Sequence, residues 1–215
     1  MAKDWFRKKR WTDEDQADFF AHLKTARGQS AKAQYLRVQA AEFLQAGTED
    51  TTRAAMALLQ RLLTDYPERL ELAPAFDLLG ECCDRLGLYN DAISFYRKAV
   101  DHQRAFPNVQ TTAYLSFALL IAKQRRRNDY SEALSILDEW GCLNDFPVMI
   151  FEIWAARALI YKDKGMPQEA VKCARHALDA AAATHSGFRN HPRLGLVGEK
   201  DRWLVEQMET ISIGR

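Results

Sequence analysis

Small side chains recur in this chain at nearly constant intervals: Ala40, Gly80, Ala118 and Ala158 stand 40, 38 and 40 residues apart. Each sits among bulky residues at steps of three and four, the spacing that places side chains on one face of an α-helix. Around Gly80 these are Phe76, Leu79 and Cys83. Gly87 then ends the helix, and Ala92, Tyr96 and Ala99 share a face of a second one. The small residues Gly80 and Ala92 mark where the two helices must approach closely. The same internal spacings return in Trp154, Ala158, Tyr161, Gly165, Ala170, Ala174 and Ala177. Two looser copies complete the series. One contains Leu36, Ala40, Phe43, Gly47, Ala55, Leu59, Leu62 and Pro67. The other contains Tyr114, Phe117, Ala118, Ile121, Tyr130, Ala133 and Leu137, with a longer turn, "KQRRRND". A self-similar period of about 20–50 residues marks a stacked array, in which each unit buries its apolar face against its neighbours.

The hairpin from Phe76 to Ala99 resembles a tetratricopeptide repeat. A bulky residue, Leu-Gly and an aromatic belong on the first helix of that pattern, then Ala and an aromatic on the second. Cys83 stands where the pattern prefers Tyr. The resemblance extends over residues 31 to about 184 and implies an all-α, right-handed α-solenoid of about four helix pairs. The flanks read as caps. "WTDEDQADFFAHLKTARG" (11–28) begins with Thr12 as N-cap and acids in the first turn, and "EKDRWLVEQMETI" (199–211) places Trp203, Val205 and Met208 among charges. The expected organisation is a basic, aromatic N-terminal segment with a capping helix (1–28), a repeat array (29–184), and a loop with a C-terminal capping helix (185–215).

Composition bounds the function. The 30 Lys+Arg balance 29 Asp+Glu, giving a net charge of +1, so bulk attraction to nucleic acid or an anionic membrane is not expected. The basic N-terminus lacks the apolar stretch of a secretory signal, and no run approaches the ~18 apolar residues of a membrane span. Cys82, Cys83, Cys142 and Cys173 form no C-x-x-C pair, which suits reduced thiols and a cytoplasmic location.

No catalytic, metal or cofactor site is expected. Cys83 lies on the inward face as a small core residue, and Cys82 is about 100° around the helix, so the two thiols diverge. His22, His102, His176, His185 and His191 form no metal-ligand spacing. "GLVGEK" (195–200) lacks the glycine spacing and Lys-Ser/Thr ending of a phosphate loop.

The expected function is therefore non-catalytic binding of a protein or peptide segment, as scaffold or adaptor. By resemblance, the first helices of the pairs line the concave face. Beside the inward residues run the stripes Arg37, Ala41 and Leu44; Asp77, Glu81 and Asp84; Leu115, Leu119 and Ala122; and Ala155, Leu159 and Lys162. Leu115, Leu119 and Leu159 would form an exposed apolar patch, unless the C-terminal segment folds back over them. Asp77, Glu81 and Asp84 would select basic partner residues. Some members of the family grip a partner's terminal carboxylate with Lys and Asn, and the stripes here lack that clamp. An alternative is an inhibitor or immunity-type protein blocking one enzyme or toxin, and a second copy of the chain is a further candidate partner. Two basic clusters could touch nucleic acid: Lys3, Arg7, Lys8, Lys9 and Arg10 among Trp5, Phe6 and Trp11, and Arg125 to Arg127 in a turn. The acidic band would repel a phosphate backbone, so the simpler expectation is that the aromatics dock on the first helices.

Overall fold

A computed structural model describes residues 4–141 and 146–214. The expected Lys3 and Cys142 lie outside the described residues. The chain packs as two compact units, residues 1–113 and 114–215, with the boundary inside the stretch that the sequence suggests as one array.

Unit 1 contains α1 (Asp13–Thr25), α2 (Gln29–Ala46), α3 (Glu49–Asp65), α4 (Arg69–Arg85) and α5 (Tyr89–Ala105). The helices α2 and α3 pack as one hairpin and α4 and α5 as the next, with α4 also against α2 and α3. Thr12 caps α1 in a capping box: its hydroxyl accepts from Asp15 N at 3.2 Å, while the Asp15 carboxylate accepts from Thr12 N at 3.1 Å. One apolar core joins Phe19 and Leu23 of α1 to Leu36, Ala40 and Phe43 of α2, Leu59 and Leu62 of α3, and Leu79 and Cys82 of α4.

Unit 2 contains α6 (Ala113–Lys123, from its second residue onward), α7 (Tyr130–Trp140), α8 (Pro147–Asp163), α9 (Pro167–Ala181) and α10 (Arg202–Ser212). The hairpin of α8 and α9 is capped by α10, which lies mainly along α9. Its buried face is Leu204, Met208 and Ile211, at steps of four and three. Trp203, expected on that face, is instead 51% exposed, because it sits one position, or about 100°, away from Leu204.

The periodic small residues take equivalent places. Ala40, Gly80, Ala118 and Ala158 are all buried, as are their partner alanines Ala55, Ala92, Ala133 and Ala170. At Gly80 the approach requires glycine: an added Cβ would run into the ring of Tyr96 on α5. A second signature repeats seven residues after each small residue. Gly47, Gly87, Arg125 and Gly165 all hold positive φ, at 75°, 73°, 50° and 72°. The residue after the last three donates to a carbonyl five positions back, Leu88 to Cys83, Arg126 to Ile121 and Met166 to Tyr161, at 2.8–3.0 Å. These bonds satisfy the carbonyls left open at a helix end. The third turn thus makes the same closure as its neighbours without the glycine.

Candidate functional site

The stripe Arg37, Ala41, Leu44 does not lie open on α2. Leu44 is buried at 3% exposure, and Arg37 pairs with the buried Glu71 of α4. Arg85 of α4 reaches back to donate to Leu44 O at 2.5 Å. The cause is angular. A stripe starting one residue after the inward face is turned about 100° from it, toward the side where the next hairpin packs. On α4 the same displacement brings Asp77 to Thr112, whose N and Oγ1 lie 3.3 and 3.4 Å from its carboxylate. Burial pushes the Asp77 carboxyl up to about 7, and the nearby Glu81 adds to the rise. Glu81 accepts from Arg85 at 2.5 Å, one turn along the helix, and Asp84 is half-buried. In unit 2, Leu115 is buried at 3% and is not part of an exposed patch, a correction to the sequence expectation. Leu119 and Leu159 are half-buried against the core cluster that includes Leu204 and Met208 of α10. Lys162 is exposed beside a cleft of about 350 Å³ lined also by Gly165, Pro167, Val171 and Ile211.

Of the four stripes, Leu44, Leu115, Ala122 and Ala155 are buried, Arg37, Ala41, Asp77, Glu81, Asp84, Leu119 and Leu159 are half-buried, and Lys162 is exposed.

The N-terminal basic cluster has a structural role that composition could not announce. Trp5 packs against Phe19, His22 and Tyr35, with ring centroids 5.3, 5.2 and 4.8 Å away. Trp11 meets Phe43 edge-on at 4.9 Å. Between the two tryptophans, the fully buried Gln39 of α2 holds the Lys8 backbone from both sides: its Oε1 accepts from Lys8 N at 2.7 Å and its Nε2 donates to Lys8 O at 2.8 Å. The buried Glu42 receives Arg7 at 2.6 Å and also Lys9, and these cations hold its carboxyl below the usual glutamate range. Lys8 reaches Asp18 at 2.6 Å. Residues 4–11 are thus a strap across α1 and α2.

The second basic cluster is also engaged. Arg127 grips Asp163 of α8 through two nitrogens at 2.6 and 3.2 Å, and Tyr130 donates to the same carboxylate at 3.0 Å. The Asp163 carboxyl is held low by Arg127 in the first place, and the Tyr130 hydroxyl is pushed up to about 12 by burial and that carboxylate.

Cys82 and Cys83 are both buried, and burial pushes their thiols up to about 12 and about 11. Thiols so far above neutrality are poor nucleophiles. The two thiols diverge as expected, but Cys82, which the spacing turns about 100° from the inward face, is itself part of the core shared with α2 and α3. Among the described residues no group of three His, Cys, Asp or Glu is placed to hold a metal ion, and no helix is long and apolar enough to cross a membrane. The loop expected at 185–198 is there, and what the sequence did not disclose is the set of hydrogen bonds that tie it, because no periodicity operates in such a segment.

Comparison with known families adds two matches. Residues 75–107 and residues 151–184 each fit a tetratricopeptide repeat profile. They coincide with the hairpins α4–α5 and α8–α9, the two whose spacings agree most closely. No curated protein matches the chain.

Proposed function

Since the chain is a tetratricopeptide-like repeat protein, we propose that it is a non-catalytic module, a scaffold or adaptor, that binds a protein or peptide segment. Repeats of this kind mediate protein–protein interactions and are typically non-catalytic. The observation that carries the reading is the pair of matched hairpins, α4–α5 and α8–α9, built on equivalent buried small residues. A first helix whose core face is filled by its own hairpin has its remaining face available for a partner. On α4 that face offers Glu81 and Asp84 to basic partner residues. On α6 and α8 it offers the apolar Leu119 and Leu159, with Lys162 at the edge. Affinity for a short segment should be around micromolar, or about −8 kcal/mol.

The test is capture of partners from native extract by wild-type protein and by Glu81→Lys, Leu119→Ser and Lys162→Glu, with helical content checked by circular dichroism. The reading expects specific co-purifying proteins that at least one variant loses while remaining helical. Identical capture by all four proteins, or none by any, contradicts it.

A further inference from the structure

Residues 183–198 lie outside the helices of unit 2, yet they are closely tied. Ser186 N donates to Pro192 O, and its hydroxyl to His191 O, both at 2.8 Å. His191 N donates to Phe188 O at 3.1 Å and Leu194 N to His191 O at 3.0 Å. Val148, in the first turn of α8, donates to Gly195 O at 2.8 Å. The Phe188 ring stacks on Phe146 with centroids 5.3 Å apart and planes 19° from parallel. A Cβ at Gly195 would run into that same Phe146 ring, so the loop is fitted against the start of α8.

This ordered loop displays an unusual surface. Phe188 is 44% exposed and Leu194 53% exposed. Between Ala183 and Gly198 the only permanent charges are Arg189 and Arg193, accompanied by His185 and His191. Among the described residues neither arginine has an ion-pair partner. Beneath the loop, α8 begins with no acidic residue in its first turn and no side-chain cap, so its positive end adds field of the same sign. Holding a loop in one conformation costs entropy. Large apolar side chains held beside unpaired arginines match the composition of an interface, in which apolar anchors and arginine are enriched.

We infer that this loop is a docking surface for an acidic protein segment carrying apolar side chains. Leucine or phenylalanine of the partner covers Phe188 and Leu194, while its carboxylates pair with the Arg189 and Arg193 guanidinium groups. A protein segment fits better than nucleic acid for three reasons. One face of Phe188 is already occupied by Phe146, Leu194 offers no stacking platform, and two arginines neutralise few phosphates. The surface uses none of Glu81, Leu119 or Lys162, so it stands or falls independently of the repeat-face reading.

The test is fluorescence anisotropy of the full chain with a labelled short peptide of Asp and Glu interspersed with Leu and Phe. The expected result is saturable binding that weakens about tenfold or more in Phe188→Ser/Leu194→Ser and again in Arg189→Glu/Arg193→Glu. These are surface changes, and unaltered thermal unfolding confirms that both variants fold. No binding by the wild-type chain, or unchanged binding by either double variant, overturns the proposal. Tighter binding of a uridine-rich oligonucleotide or of phosphatidylserine vesicles than of the peptide overturns it equally.

Discussion

Unit 1 starts with an extended strap over α1 and α2, whereas unit 2 finishes with a helix over α8 and α9. Each covers helices at one end of its unit, but with different chemistry. The strap is held by Gln39 on the Lys8 backbone, by the Glu42 cluster, and by Trp5 and Trp11. The covering helix, α10, relies on Leu204, Met208 and Ile211, with no polar anchor on its buried face among the described residues. An array of hairpins leaves an unmatched face at each end, and the physics demands cover rather than a particular element. Polar anchoring makes one cover sensitive to pH and salt; apolar anchoring makes the other sensitive to volume and buried charge.

The comparison is broken most forcefully at Met208, which is fully buried. Met208→Asp places a carboxylate in the core under α10 and should cost about 4 kcal/mol or more in denaturant unfolding. Little change in the unfolding midpoint would mean that α10 is not the cover.

Glu42→Gln should be milder, about 1–2 kcal/mol, because the Arg7 and Lys9 ends it releases are largely exposed. The folded Glu42 carboxyl is depressed below its ordinary value of 4.5, chiefly by Lys9. Its stabilisation is therefore complete above the ordinary glutamate range and fades as pH falls through the lowered folded value. Wild type and variant should converge in acid and differ at neutral pH; a pH-independent difference would contradict the strap chemistry.

Asp77 has the opposite sign. Its folded carboxyl is raised from 3.8 to about 7, so ionising it costs the folded state stability as pH climbs between those values. Asp77→Asn should be more stable than wild type by about 1–2 kcal/mol at pH 8, the full shift being reduced by partial solvent access. The gain should vanish near pH 4 in thermal unfolding profiles. The smallest expected effect is at Arg125, the one non-glycine residue among the described residues with positive φ, at 50°. Arg125→Gly should stabilise by about 0.5–1 kcal/mol by relieving the left-handed conformation. Its neighbour Arg127 keeps the tie to Asp163 in that variant.

The helical hairpins were legible because burial of a helix face imposes a period, and Ala40, Gly80, Ala118 and Ala158 report where helices cross. The turn after α6 was harder to place, since Arg125 does there what Gly47, Gly87 and Gly165 do elsewhere. The candidate surface was legible only in part. A stripe can be assigned to a helix from spacing alone, but its angle to a neighbouring hairpin depends on packing, and an error of about 100° moves Leu44 and Leu115 from surface to core. The docking of Trp5 and Trp11 on the first helices was anticipated, but the strap's polar anchoring was the least legible part. Extended backbone held by Gln39 and Glu42 has no period, and Arg7, Lys8 and Lys9 look alike whether they face solvent or a buried carboxylate.

Native-state hydrogen exchange on the full chain and on a chain lacking residues 1–11 tests most directly whether the chain's own ends cover its terminal hairpins. Removal of the strap should raise exchange in α1 and α2, where Phe19, Tyr35 and Phe43 lose their tryptophan partners. Protection in α8, α9 and α10 should stay as it was. Undisturbed exchange in α1 and α2 would contradict the account.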